Sequence, residues 1–127
     1  MNRIISTDTA PAPFSDYAQA VESPAGARLL HVSGQVGVEL DGHLPDDPER
    51  QHENAWRNVF AILAAADMEP ADIVDVRCFV NSHEEVPRYR LVRDRMLKGA
   101  TPASTMVVAP LADPAWRVEI AVTAAKV

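Results

Sequence analysis

Five cations crowd one short stretch of this 127-residue chain. Arg88, Arg90, Arg93, Arg95 and Lys98 fall within eleven residues and are offset only by Asp94, although the whole chain holds 12 Lys and Arg. Arg90 and Arg93 stand three apart, so on a helix they share a face. The plainer reading of the stretch is a solvated helix face. Near the C-terminus, Trp116, Val118, Ile120 and Val122 alternate with Arg117, Glu119, Ala121 and Thr123, the period of a strand with one buried face. A carboxylate at 119 can orient a water or take its proton. The strand pattern alone favours a different role, an outward glutamate paired with Arg117 on the same face. His31, His43, His52 and His83 show no metal-ligand spacing and read as surface or strand residues, so no metal site is expected. Cys78 lies inside an apolar run with no cation at pairing distance, which suits a small core residue better than a nucleophile. No glycine-rich phosphate loop is present, so no nucleotide cofactor is expected.

Composition narrows the classes. The chain is 47% apolar and 24% charged, as for an ordinary globular domain, and its length fits one domain over residues 1–127. The net charge of −6 argues against nucleic-acid binding, which needs a basic surface, and against a polybasic membrane anchor. No apolar run approaches the ~20 residues of a membrane span, and Met1–Ser6 lacks the apolar stretch of a signal peptide. One cysteine excludes an internal disulfide, and a cytoplasmic home is the simplest expectation.

These residues need elements to hold them. Residues 8–16 read as an irregular, proline-stiffened segment. Tyr17 to Val21 and Arg28 to Ser33 read as short strands joined through a turn with Pro24 and Gly26. Residues 37–48 form a loop. Residues 49–66 give the clearest helix, because Trp56, Val59, Phe60 and Leu63 fall on one face. Residues 72–80 read as a strand. Residues 85–98 read as a second helix with Pro87 in its first turn and a stripe of Tyr89, Val92 and Met96. Residues 104–110 and 115–125 read as two strands joined by Ala112-Asp113-Pro114. With a short strand at 3–6, the pattern predicts an α+β fold: a six-stranded, mostly antiparallel sheet with two helices on one face. Nothing in the chain is left to cover the other face, so a second subunit is the natural cover.

Several stretches, in order, resemble one family. Ala10-Pro11-Ala12-Pro13-Phe14-Ser15-Asp16-Tyr17-Ala18-Gln19-Ala20-Val21 is similar to the opening of RidA-like (YjgF-like) proteins, and Val32-Ser33-Gly34-Gln35-Val36-Gly37 to their S-G-Q turn. Gln51 to Ala66, Met68 to Val74, Thr101-Pro102-Ala103 and Val118-Glu119-Ile120 resemble later signature regions. The resemblance implies a chorismate-mutase-like subunit in a homotrimer, with small-molecule pockets in the clefts between subunits. It also implies hydrolysis of enamines or imines to a carbonyl product and ammonia, with no metal or organic cofactor.

The same resemblance assigns residues. Glu119 matches the glutamate that orients the attacking water. Tyr17 matches a pocket tyrosine, and Ser33 and Gly34 lie on the S-G-Q turn. Active deaminases read P-A-R-S where this chain reads Pro102-Ala103-Ser104-Thr105. Ser104 thus replaces an arginine that clamps a substrate carboxylate with two parallel hydrogen bonds. At about 1.5–3 kcal/mol per charged hydrogen bond, its loss weakens carboxylate binding by one to a few orders of magnitude. Thr105 follows in the segment, and Met106 stands where many relatives carry cysteine, making a softer, more apolar wall. Counted from Phe79, Arg90 falls at a pocket-lining position, so Arg90 or Arg93 is a candidate for the missing charge. Two readings stay open: an enamine or imine hydrolase with an altered substrate, and a non-catalytic metabolite-binding or regulatory homologue. Ribonuclease activity, attributed to some relatives, fits the acidic charge poorly.

Overall fold

In the computed structural model, which describes residues 1–127, the first predicted helix runs Pro48–Ala65 (α1). The Asp47 carboxylate accepts the Glu49 N–H at 3.2 Å, and Pro48 takes the first position, where no N–H is needed. Its inward face carries Ala55, Trp56, Val59 and Leu63, all fully buried. The second helix, Glu85–Leu97 (α2), ends on Lys98 in the left-handed region (φ 50°) followed by Gly99 (φ 89°). Tyr89, Val92 and Leu97 point inward, while Met96 is only partly buried.

All six predicted strands form: β1 (Arg3–Ile5), β2 (Ala20–Glu22), β3 (Arg28–Val36), β4 (Ile73–Val80), β5 (Ala103–Val108) and β6 (Val118–Lys126). They divide into an antiparallel β1–β2 pair and a four-stranded sheet in the order β3-β6-β4-β5. Only β4 and β5 run parallel, and α2 is the crossover that a parallel pair requires. Two expected neighbours are not neighbours. β2 pairs with β1 rather than β3, although the Pro24–Ala27 turn forms (Ala27 N to Pro24 O, 3.3 Å). β6 does not fold back on β5 but slots between β3 and β4. A central place buries a whole strand face, and the inward Val118, Ile120, Val122 and Ala124 are all fully buried. That burial outweighs the short connection to β5.

Both helices pack on one face of this sheet, around a single core that includes Val76, Cys78, Val80, Trp56 and Tyr89. The opposite face carries Leu29 (59% exposed), Thr105 and Val107 (41% exposed) beside half-buried Phe79 and Glu119, and no element of the chain covers it. No helix is long and apolar enough to cross a membrane.

Candidate functional site

Chain geometry sorts the candidate residues into two groups. The first surrounds a cavity of about 200 Å³ at the β5 edge, lined by Phe14, Ser15, Tyr17, Arg90, Arg93, Ser104 and Met106. Ser104 and Met106 alternate with Thr105 along β5 and face the helices, opposite Val76 and Cys78 of β4. Thr105 is exposed on the other side of the sheet and lies outside the cavity; its carbonyl accepts the Cys78 thiol at 3.4 Å. Tyr17 reaches the cavity from the segment before β2 rather than from a strand. The Ala18 N–H bonds to Pro102 O at 3.1 Å and ties that segment to the start of β5. The Tyr17 hydroxyl accepts the Phe14 N–H at 3.1 Å.

Helix α2 supplies the cations. Arg90 is exposed and has no acidic partner within the chain, whereas the Arg93 side chain is only 4% exposed. Arg93 donates to the Asp94 carboxylate at 2.9 Å and to Ser15 Oγ at 3.3 Å, and its guanidinium lies 5.9 Å from the Tyr89 ring centre. Cys78, beneath the cavity, is the core residue expected; burial pushes its thiol pKa up. Burial likewise raises the Tyr89 phenol well above its ordinary value.

The second group lies on the uncovered sheet face. Ser33 and Gly34, expected on a turn, sit inside β3 at a bulge. The register slips between Val32, opposite Val122, and Gln35, opposite Ile120, so two residues face the one place of Ala121. Gln35 Nε2 secures the bulge by donating to Ser33 O at 3.1 Å. A side chain on Gly34 would overlap the Glu119 carboxylate, so the absence of a Cβ lets that carboxylate lie against the backbone. Glu119 sits opposite Phe79 of β4 and Val36 of β3. It does not pair with Arg117. That arginine precedes β6, after the turn closed by Trp116 N to Asp113 O, and reaches Glu85 at 3.1 Å instead. Glu119 is therefore two strands from β5, roughly 10 Å along the sheet, and on the opposite face from Ser104. One chain does not bring the two groups together.

A third cluster escaped the sequence. Glu85 is fully buried and holds His52 Nε2 at 2.9 Å, Arg117 at 3.1 Å and Arg88. Burial alone would raise its carboxyl pKa, but the hydrogen bonds from Arg88 and His52 outweigh it and leave the group below the ordinary carboxylate value. Burial lowers the His52 imidazole against the pull of Glu85. His52 is thus a core residue rather than a surface or strand one. Its position one turn before Trp56, on the buried side of α1, was the available signal.

Similarity to known proteins follows this architecture. The profile of the family described as Endoribonuclease L-PSP matches residues 7–126. The chain belongs to that family, the RidA/YjgF proteins. Among relatives, a 2-iminobutanoate/2-iminopropanoate deaminase of Dermatophagoides farinae is 33% identical over 121 residues, covering 93% of this chain and 91% of its own. The Rid-family protein YyfB of Yersinia pestis, a protein of unknown function, superposes with a TM-score of 0.83 at 30% identity, covering 98% of both chains. Escherichia coli TdcF, solved with bound serine, gives 0.74 at 26% identity, covering 98% of this chain and 99% of that one. Within this Rid-family chain, Tyr17, Arg90, Ser104 and Met106 share one cavity, and Ser33, Gly34 and Glu119 share the uncovered face.

Proposed function

We propose that this chain hydrolyses small enamines or imines in clefts completed between the subunits of a cytoplasmic homotrimer. One observation carries the reading: the two groups of site residues lie on separate open surfaces, the β5-edge cavity and the sheet face of Glu119. Two copies placed face to edge can join them, and the apolar face bearing Leu29, Phe79 and Val107 gains the cover it lacks. The deaminase relative named above supports the reaction class. In that cleft the Glu119 carboxylate takes a proton from a water as its oxygen attacks the imine carbon. The nitrogen gains that proton to give a carbinolamine; its hydroxyl proton then passes, by way of the same carboxylate, to the amine as the C–N bond breaks, and carbonyl and ammonia leave. Ribonuclease activity, which the family description names, runs against the net charge of −6.

The test generates 2-iminopropanoate with an amino-acid oxidase, traps it with semicarbazide, and measures how far the protein diverts it to pyruvate. Diversion by a species of three times 13.8 kDa supports the reading. No diversion by a folded trimer sinks it. Ser104, in the arginine's place, favours a second reading in which the cleft binds a metabolite without converting it. Glu119→Gln separates the two, since a catalyst loses turnover while keeping affinity and a binder has no turnover to lose.

A further inference from the structure

We infer that Arg93, on α2, replaces the missing arginine of β5 as the anchor for a ligand carboxylate in this cavity. The inference rests on the cleft proposed above being the ligand site. Arg93 is the buried cation of the cavity, with its side chain 4% exposed, and its guanidinium is under-partnered. Nε and Nη2 reach Asp94, whose side chain is 45% exposed, and Nη2 reaches the neutral Ser15 hydroxyl; Nη1 donates to nothing within the chain. Arg90, one turn away, has no acidic partner, so two cations and one acid leave the cavity with a net positive charge. Nη1 is not sealed from solvent, so it leaves a free donor that a ligand carboxylate in the cavity can take up.

Position explains why the exchange works. Residue 104 faces the helices, so an arginine there would project into the space that Arg93 borders. An arginine at 104 would be a third guanidinium beside Arg90 and Arg93 in a cavity of about 200 Å³, and Ser104 avoids that added like-charge repulsion. The Tyr89 ring and Ser15 restrain Arg93, which keeps its fork oriented. Tyr17 and Met106 supply apolar wall. The volume is below that of drug-sized pockets, which suits an acid of a few carbons.

The experiment titrates the trimer with pyruvate and with neutral pyruvamide, both unreactive toward hydrolysis of an imine. The wild type is expected to prefer pyruvate by ~10-fold or more, the worth of a charge-assisted hydrogen bond. Arg93→Met removes the preference, Arg93→Lys keeps part of it, and Arg93→Met with Ser104→Arg restores it. Equal binding of the two probes by the wild type, or unchanged pyruvate affinity in Arg93→Met, overturns the inference. Should Arg93→Met not fold, the wild type still decides through the Arg93 Nε–H resonance, which must shift as pyruvate saturates; a stationary resonance overturns the inference. Failure of imine hydrolysis with this binding intact defeats the catalytic reading alone. Hydrolysis unaffected by Arg93→Met defeats the anchor alone.

Discussion

Replacing Gly34 by alanine tests whether the bulge in β3 exists to place Glu119. A Cβ at residue 34 would stand 2.7 Å from Cδ and 2.9 Å from Cγ of Glu119, against an ordinary carbon contact of about 3.5–4.0 Å. The glutamate must therefore retreat by roughly 1 Å. Its carboxylate is the flexible end of a half-buried side chain, and Gly34 does not occupy the positive-φ region, so alanine fits the backbone. Stability should change by no more than about 0.5–1 kcal/mol. Activity should not be spared: a misplacement of 1 Å costs up to ~100-fold, equivalent to about 2.7 kcal/mol of barrier. The semicarbazide-trapping assay on Gly34→Ala, with urea unfolding in parallel, reads both numbers. Gly37→Ala is the control. There a Cβ would meet the Gln51 backbone of α1, which cannot rotate away, so stability falls by about 1–3 kcal/mol. Wild-type turnover in Gly34→Ala would refute the reasoning. So would full additivity with Glu119→Gln, because residues acting through one group must couple.

Glu85→Ala should cost about 2–4 kcal/mol, since it strands the fully buried His52 while Arg88 and Arg117, a third or more exposed, regain water. A fall of ~1–2 M in the urea midpoint would show it. Both His52 and Glu85 have lowered folded pKa values, so each adds stability above its unfolded value and loses it as pH falls. Wild-type stability should decline first below pH 6.5, from His52, and again below 4.5, from Glu85. Glu85→Gln should abolish the second decline and extend the first to lower pH. Val107→Lys on the uncovered face should convert a species of three times 13.8 kDa to one of 13.8 kDa by light scattering, and an unchanged mass would place the interface elsewhere.

Elements with one continuous apolar face were legible. Trp56, Val59 and Leu63 gave α1 to within a residue at each end, and the alternation through Val118, Ile120 and Val122 gave β6 with the correct face inward. Strand neighbours were not legible, because periodicity says which face is buried and nothing about who lies alongside. The β5–β6 hairpin was read from a short connection, and the fold chose the central place for β6 on total burial. The bulge at Ser33-Gly34 likewise depends on the Glu119 carboxylate, far away in the chain. On the site, Ser104, Met106, Tyr17 and Arg90 do meet at one cavity, while Thr105 fell to the other face by the simple alternation of a strand.

Helix α2 shows what the sequence held and periodicity alone could not interpret. Glu85, Tyr89, Arg93 and Leu97 stand four apart and line one buried stripe, each at most 4% exposed. Two of the four are charged, which an amphipathic helix does not tolerate without compensation. The compensation differs between them. Glu85 meets a histidine and two arginines, so its charge is answered within the fold, and the cluster belongs to the scaffold. Arg93 meets a hydroxyl, a ring face and one half-exposed acid, and it stands beside a cavity. Spacing identifies both as buried charges; the opposite charges each meets, two arginines for Glu85 and one half-exposed acid for Arg93, separate a structural ion pair from a binding group. By that criterion the cation cluster divides, with Arg88 and Arg95 spent on acids of the chain and Arg93, with Arg90 at its side, left to a ligand.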